Sequence, residues 1–261
     1  MSKLIFSQHG RLVPSASSVV FAQEDRRYFA LKEVTQPIET IYANFKDALG
    51  ETISISMDDF CTIFSTLLEK VKANDSLKGL LAGVYLPFVL PKKIFSQNYE
   101  YTLAELLKVL QTEYTKKFPQ YEFKNLAPNY SEAKFKLVNN SRLNSLYSQS
   151  QLEDVVGIYF PNVFAGYAIH SQRALISAFP EGFALTGPIE IASSLIGYPS
   201  LLLRTDETYP NGLTCSGIEP QNQDQQNFFW YFEAYGWNLN FNYRSMVGPP
   251  SEYFSGGLSF F

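Results

Sequence analysis

The chain has 261 residues, 46% of them apolar and 18% charged, with a net charge of -4 and a pI near 5.3. That length can bury a core without disulfide staples, while the densest basic spots, Lys92-Lys93 and Lys116-Lys117, are too small to hold a phosphate backbone or an anionic membrane. With two histidines and two isolated cysteines, Cys61 and Cys215, neither a multi-histidine zinc site nor a secreted disulfide framework can be built, so no metal and no cofactor is expected.

The charged fraction lies below the usual value of about 25%, and Ser, Asn, Gln and Tyr make up the difference. Such a surface is cheap to desolvate, and protein contact cores share this bias toward tyrosine and against charge. The opening stretch MSKLIFSQHGRLVPSASS lacks the continuous apolar segment of a secretory leader, and no run approaches the roughly 18 apolar residues of a membrane helix. A soluble, cytoplasmic protein is expected.

In chain order, residues 4–34 read as strands and turns, with a hairpin-like entry around the charged turn Gln23–Arg27. After Pro37, Ile38, Ile41, Phe45 and Leu49 share one helical face that stops at Gly50. ETISIS (51–56) alternates like a short strand. Ser56 or Asp58 can cap the next helix, whose stripe is Phe60, Ile63, Phe64, Leu67, Leu68 and Val71. LAGVYLPFVLPKKIF (81–95) reads as a buried or edge strand, because Pro87 and Pro91 cannot donate to an inner ladder. Thr102 and Glu105 form a capping box for another helix with Leu103, Leu106, Leu107, Leu110 and Tyr114 on one face.

The composition divides the chain into a mixed α/β part (1–120), a polar connector (121–154) and a β-rich part (155–261), with one continuous domain as the alternative. In the last part, 156–169 is strand-like. Gly187, Pro188 and Gly197 bound a helix over TGPIEIASSLIG, whose first turn can offer N–H groups to an anion. SLLLR (200–204) reads as a buried strand and Asn211-Gly212 as a tight turn. The expected fold is α+β: a mostly antiparallel sheet, strand-rich in the second half, with about four helices packed against it.

The stretch Phe228–Arg244 holds nine aromatic residues in seventeen. Trp237, Leu239, Phe241 and Tyr243 alternate with Asn238, Asn240, Asn242 and Arg244, which predicts a strand with one apolar and one wet face. Phe228–Phe232 carry rings toward both faces, so both should be covered. Ala234-Tyr235-Gly236 can turn or bulge, which makes the segment a bent strand or a tight hairpin. The rings are core, a ligand pocket or a partner surface; Trp230, Tyr235, Trp237, Phe241 and Tyr243 are the candidates for binding.

No G-x-G-x-x-G, P-loop, G-x-S-x-G or H-E-x-x-H is present. If the chain is an enzyme, Arg204, Asp206 and Glu207 form the best-placed charged cluster, just after an expected strand. His170 and Cys215 can act as base and nucleophile if folding joins them. The plainer readings are a solvated turn with a local ion pair and a structural histidine. The function expected first is non-catalytic: partner binding or self-association through an aromatic β surface. The alternative is an enzyme acting on a small, largely apolar substrate in an aromatic-lined pocket with acid/base side chains.

Overall fold

Ser56 opens the longest amphipathic pattern in the first half. Its hydroxyl accepts the Asp59 N–H at 3.1 Å, satisfying one of the free donors of a helix's first turn. In the computed structural model, which describes residues 4–21, 30–95, 98–127, 135–206, 209–221, 228–245 and 253–261, this helix is α2 (Met57–Ala73), and it buries Phe60, Phe64, Leu67 and Val71. α1 (Ile38–Leu49) buries Ile41, Phe45 and Leu49, as its spacing predicts. α4 (Tyr99–Lys117) buries the expected leucine stripe and Tyr114 but starts earlier than the Thr102 box. Its cap is Asn98, whose Oδ1 accepts the Tyr101 N–H at 2.8 Å, while the Thr102 hydroxyl turns back onto the Ile94 and Asn98 carbonyls.

The class is α+β. Seven strands lie side by side in the order β1 (Leu86–Leu90), β4 (Val155–Ala165), β10 (Phe254–Phe260), β6 (Gly212–Thr214), β8 (Phe228–Tyr235), β9 (Asn238–Ser245) and β2 (Phe123–Asn125). An eighth, β5 (Phe183–Leu185), pairs with β10. β3 (Phe135–Leu137) and β7 (Ile218–Pro220) form a separate ribbon. Most of its pairings are antiparallel, but the sheet is mixed, because β6–β10 and β2–β9 are parallel, which the sequence did not lead one to expect. Its cause is the position of β10, which fills the centre between β4 and β6. Those two run in opposite directions, so an inserted strand must run parallel to one of them. β1, which contains Pro87 and is followed by Pro91, takes an edge.

Seven α-helices stand among the described residues, against about four expected. α3 (Lys92–Phe95), α5 (Leu143–Ser150) and α6 (Ile169–Leu175) are the additions, each too short to display a helical period in sequence. The seventh, α7 (Pro188–Gly197), is buried over every residue. Ser193 on α7 bonds both polar groups of Val89, donating to its carbonyl at 2.6 Å and accepting its N–H at 3.0 Å. The exposed side of edge strand β1 is therefore capped by a helix rather than left open.

Three local expectations need correction. ETISIS is a 3-10 turn, Gly50–Thr52, followed by the capping loop of α2. SLLLR lies in a 3-10 helix, Pro199–Leu202, that follows directly on α7. Asn211-Gly212 makes no turn, since Gly212 begins β6. ETISIS and SLLLR, six and five residues long, carry too little pattern to separate a strand from a tight helical turn, and two residues such as Asn211-Gly212 do not by themselves fix a turn. Of the entry hairpin only isolated bridges, Phe6 to Leu12 and Val20 to Tyr167, are found; its turn lies outside the described residues. The main apolar core runs from Leu12 to Phe260.

Asp154, just before β4, is tied to the first half of the chain. Its Oδ2 accepts from the Ser54 N–H at 2.6 Å, the Ser54 hydroxyl at 2.7 Å and the Ile55 N–H at 3.0 Å, and its Oδ1 from the Lys92 N–H at 2.9 Å. Burial pushes this carboxyl up, but the four donors outweigh it and hold it below its ordinary value of 3.8. A depressed folded-state value means that the stability is present near neutrality and is lost as pH falls through that value. Asp154→Ala is expected to cost roughly 2 kcal/mol at pH 7 by denaturant unfolding, with the deficit shrinking in acid.

Candidate functional site

The aromatic run is a hairpin. Phe229, Trp230, Tyr231 and Phe232 on β8 are 1%, 2%, 5% and 0% exposed, so the chain itself covers both faces. Trp230 meets Phe135 edge-on at 5.8 Å, and Phe232 lies 4.7 Å from Phe241. The turn is made by Gly236 at φ 57 and Trp237 at φ 73, a backbone costly for a bulky residue. Trp237 is half-buried there rather than hidden, with Tyr121 stacked on it at 6.2 Å. Phe241 is buried and Tyr243 half-buried, while Tyr235 is 65% exposed. Asn240, expected near the surface, is 3% exposed, because β2 pairs with the outer edge of β9.

Arg204 does not sit at a strand end. Its guanidinium lies 4.5 Å over the Tyr209 ring and 4.9 Å over Trp237, an arrangement favourable for a cation on a ring face. Asp206 is exposed, and Glu207 lies outside the described residues. His170 is exposed on α6, whereas Cys215 is 1% exposed. Burial and the Glu190 charge push the Cys215 thiol well above its ordinary range, which keeps it a thiol rather than a nucleophilic thiolate. Both cysteines are free. Among the described residues no helix is long and apolar enough to cross a membrane and no group of His, Cys, Asp and Glu could hold a metal ion.

Two concave sites were not anticipated. The larger is a cleft of about 1010 Å³. Its apolar wall is Leu31, Val34, Phe64, Leu68, Leu81 and Val84, and its polar lining includes His9, Arg11, Asn162 and Asn211. Close crossing of two chain segments shapes it. Gly10, at φ 72, lies so near Gly83 that a Cβ on Gly10 would sit 2.6 Å from the Gly83 Cα. Arg11 is 2% exposed; its Nε–H donates to the Ala165 carbonyl at 2.8 Å, and its guanidinium lies over Tyr167 at 5.7 Å. Asn162 and Asn211 each bury a side-chain oxygen that no donor among the described residues reaches, a rare condition that calls for a polar partner.

The smaller is a pocket of about 310 Å³ that includes Phe95, Tyr99, Phe135 and Tyr147 in its lining. Behind it is Glu190, in the first turn of α7 and 0% exposed. Its Oε2 accepts the Gly187 N–H at 2.7 Å, and its Oε1 has no partner among the described residues. Burial raises this carboxyl from 4.5 to about 7, against the lowering effect of nearby donors such as the Gly187 N–H. The Tyr147 hydroxyl donates its one proton to the Tyr99 hydroxyl at 3.2 Å. The groups around Glu190 are thus Tyr147 on α5, Tyr99 on α4, Tyr159 on β4 and Cys215, and burial holds Tyr147, Tyr159 and Cys215 well above their ordinary values. Compared with protein families, curated proteins and solved structures, the chain matches none.

Proposed function

We propose that the protein binds a small, largely apolar molecule in the 1010 Å³ cleft, with the polar end of that molecule at Arg11, Asn162 and Asn211. The observation that carries this reading is the cleft itself: its volume reaches the upper end of small-molecule sites, roughly 300–1,000 Å³, and it joins an apolar wall to a few polar groups. The cleft serves binding alone or binding followed by a reaction. An anionic apolar probe, anilinonaphthalene sulfonate, is expected to fill one saturable site. Ala82→Trp and Val84→Trp, which place bulk on the lining, are expected to weaken it by about tenfold or more. Unchanged affinity in both folded variants would refute the reading.

Self-association is a second reading, and one observation favours it: Tyr235 stands 65% exposed at the hairpin tip. It rests on that tip rather than on the buried rings behind it. A monomeric mass in solution for the wild type would remove it; a dimer that Tyr235→Asp returns to monomer would support it.

A further inference from the structure

The polar groups of the cleft differ in what already holds them. Gln8, His9 and Glu33 are exposed and meet water. The Arg11 Nε–H is taken by the Ala165 carbonyl at 2.8 Å. The Gly166 N–H donates to the Phe254 carbonyl at 2.8 Å, and the Gly166 carbonyl accepts the Phe21 N–H at 2.7 Å. Asn211, the residue before β6, is different. It is 2% exposed and lines the cleft. Its Nδ2 donates to the Tyr253 carbonyl at 3.4 Å. That bond orients the carboxamide, because turning it over would set one carbonyl oxygen against another. Its Oδ1 is thereby left without a donor among the described residues, and Asn162 on β4 presents a second buried Oδ1 in the same state. We propose that the ligand of the cleft is a neutral molecule whose polar end is a hydrogen-bond donor, a hydroxyl or an N–H, given to Asn211 Oδ1. This rests on the cleft being a ligand site and names the chemistry that it selects.

A buried carbonyl oxygen that gains no hydrogen bond gives up its hydration uncompensated. A ligand that supplies a donor is therefore favoured over one of similar shape that does not. A carboxylate is an acceptor only. It would leave Asn211 unpaired and set negative charge against its oxygen. An ammonium ion would donate, but it would bring a second positive charge to a lining that already buries the Arg11 guanidinium, and an unpaired charge is far costlier to bury than a neutral donor. A hydroxyl or an N–H meets the acceptor with neither penalty. The rest of the molecule lies on the apolar wall of Leu31, Val34, Phe64 and Leu68, the division of labour usual in small-molecule sites. Holding the chain ahead of β6 requires only the Nδ2 bond to Tyr253, to which the buried Oδ1 adds nothing.

The test displaces anilinonaphthalene sulfonate, which carries an N–H of its own, with naphthalenes substituted at one ring position, at neutral pH. Naphthol and naphthylamine, both neutral donors, are expected to compete about tenfold more tightly than methoxynaphthalene and naphthoate, which offer acceptors only. Asn211→Leu, similar in size but without the acceptor, is expected to bring both donors to the level of the ether and to leave the ether unchanged. Should that variant not fold, the wild-type comparison decides alone. Equal affinities across the series, tighter binding of the ether or the carboxylate, or a donor preference that survives in folded Asn211→Leu would each overturn the inference and leave the cleft reading standing. Failure of the probe and of the whole series to bind would instead remove the cleft reading, and the inference with it.

Discussion

Replacing Phe232 by alanine is expected to lower stability by about 3–5 kcal/mol, the range for deleting a fully buried phenyl ring. Phe232 is 0% exposed, lies opposite Leu213 on one side and Phe241 on the other, and its ring is tilted against that of Phe241 at 4.7 Å. Neither neighbour can move into the space without breaking a ladder that pairs on both sides, so little of the cavity will close. The matched control is Tyr235→Ala at the exposed tip, expected to change stability by no more than about 0.5 kcal/mol. Urea unfolding of both variants checks the pair. A small loss at Phe232 would mean that the hairpin rings are a surface that the chain merely folds near.

Glu190 should give the largest pH effect. Its folded-state value of about 7 stands above the 4.5 of an unperturbed glutamate. Between those values the folded protein holds a proton that the unfolded chain has released, so stability falls as pH rises through that window and levels off above it. The loss comes to roughly 3 kcal/mol, because each tenfold difference in proton affinity between the two states is worth about 1.4 kcal/mol. Glu190→Gln keeps the volume and an acceptor for the Gly187 N–H but cannot ionise. Its stability relative to wild type should therefore climb by about that amount between pH 4.5 and 8. Taking the difference cancels the other carboxylates: Asp154, which acts in the opposite sense, and Glu233, which burial also raises. Parallel stability curves would mean that Glu190 is ionised when folded, without penalty.

How legible these features were follows from where each signal resides. Leu67 and Leu107 are 5% and 3% exposed, as their stripes predict, because a helix of four or more turns repeats its period enough times to be read. The hairpin was readable as one of two alternatives. Its turn was displaced by one residue, since the sequence marks Gly236 but not the positive φ of Trp237. SLLLR misled because an apolar run of that length fits a strand and a buried 3-10 turn equally. The cleft was invisible: Arg11, Phe64, Val84 and Asn162 meet only through tertiary packing.

The Glu190 site was half legible. The helix start at Gly187-Pro188 was marked, and so was its capacity for an anion. The missed signal was Glu190 itself, one carboxyl in a helix that is apolar on every side, PIEIASSLIG. Such a helix must be buried all round, and its carboxyl with it. Its partners Tyr99 and Tyr147 come from α4 and α5, and no spacing in the sequence links three elements.

The most direct test of the central claim is an amide chemical-shift map of the folded protein titrated with anilinonaphthalene sulfonate. Saturating shifts are expected at Leu31, Gly83, Val84, Gly166 and Asn211, around the cleft, with none at Tyr235, Gly236 or Trp237. Shifts confined to the hairpin tip, with the cleft unmoved, would contradict the account and return the aromatic hairpin to the working surface of the protein.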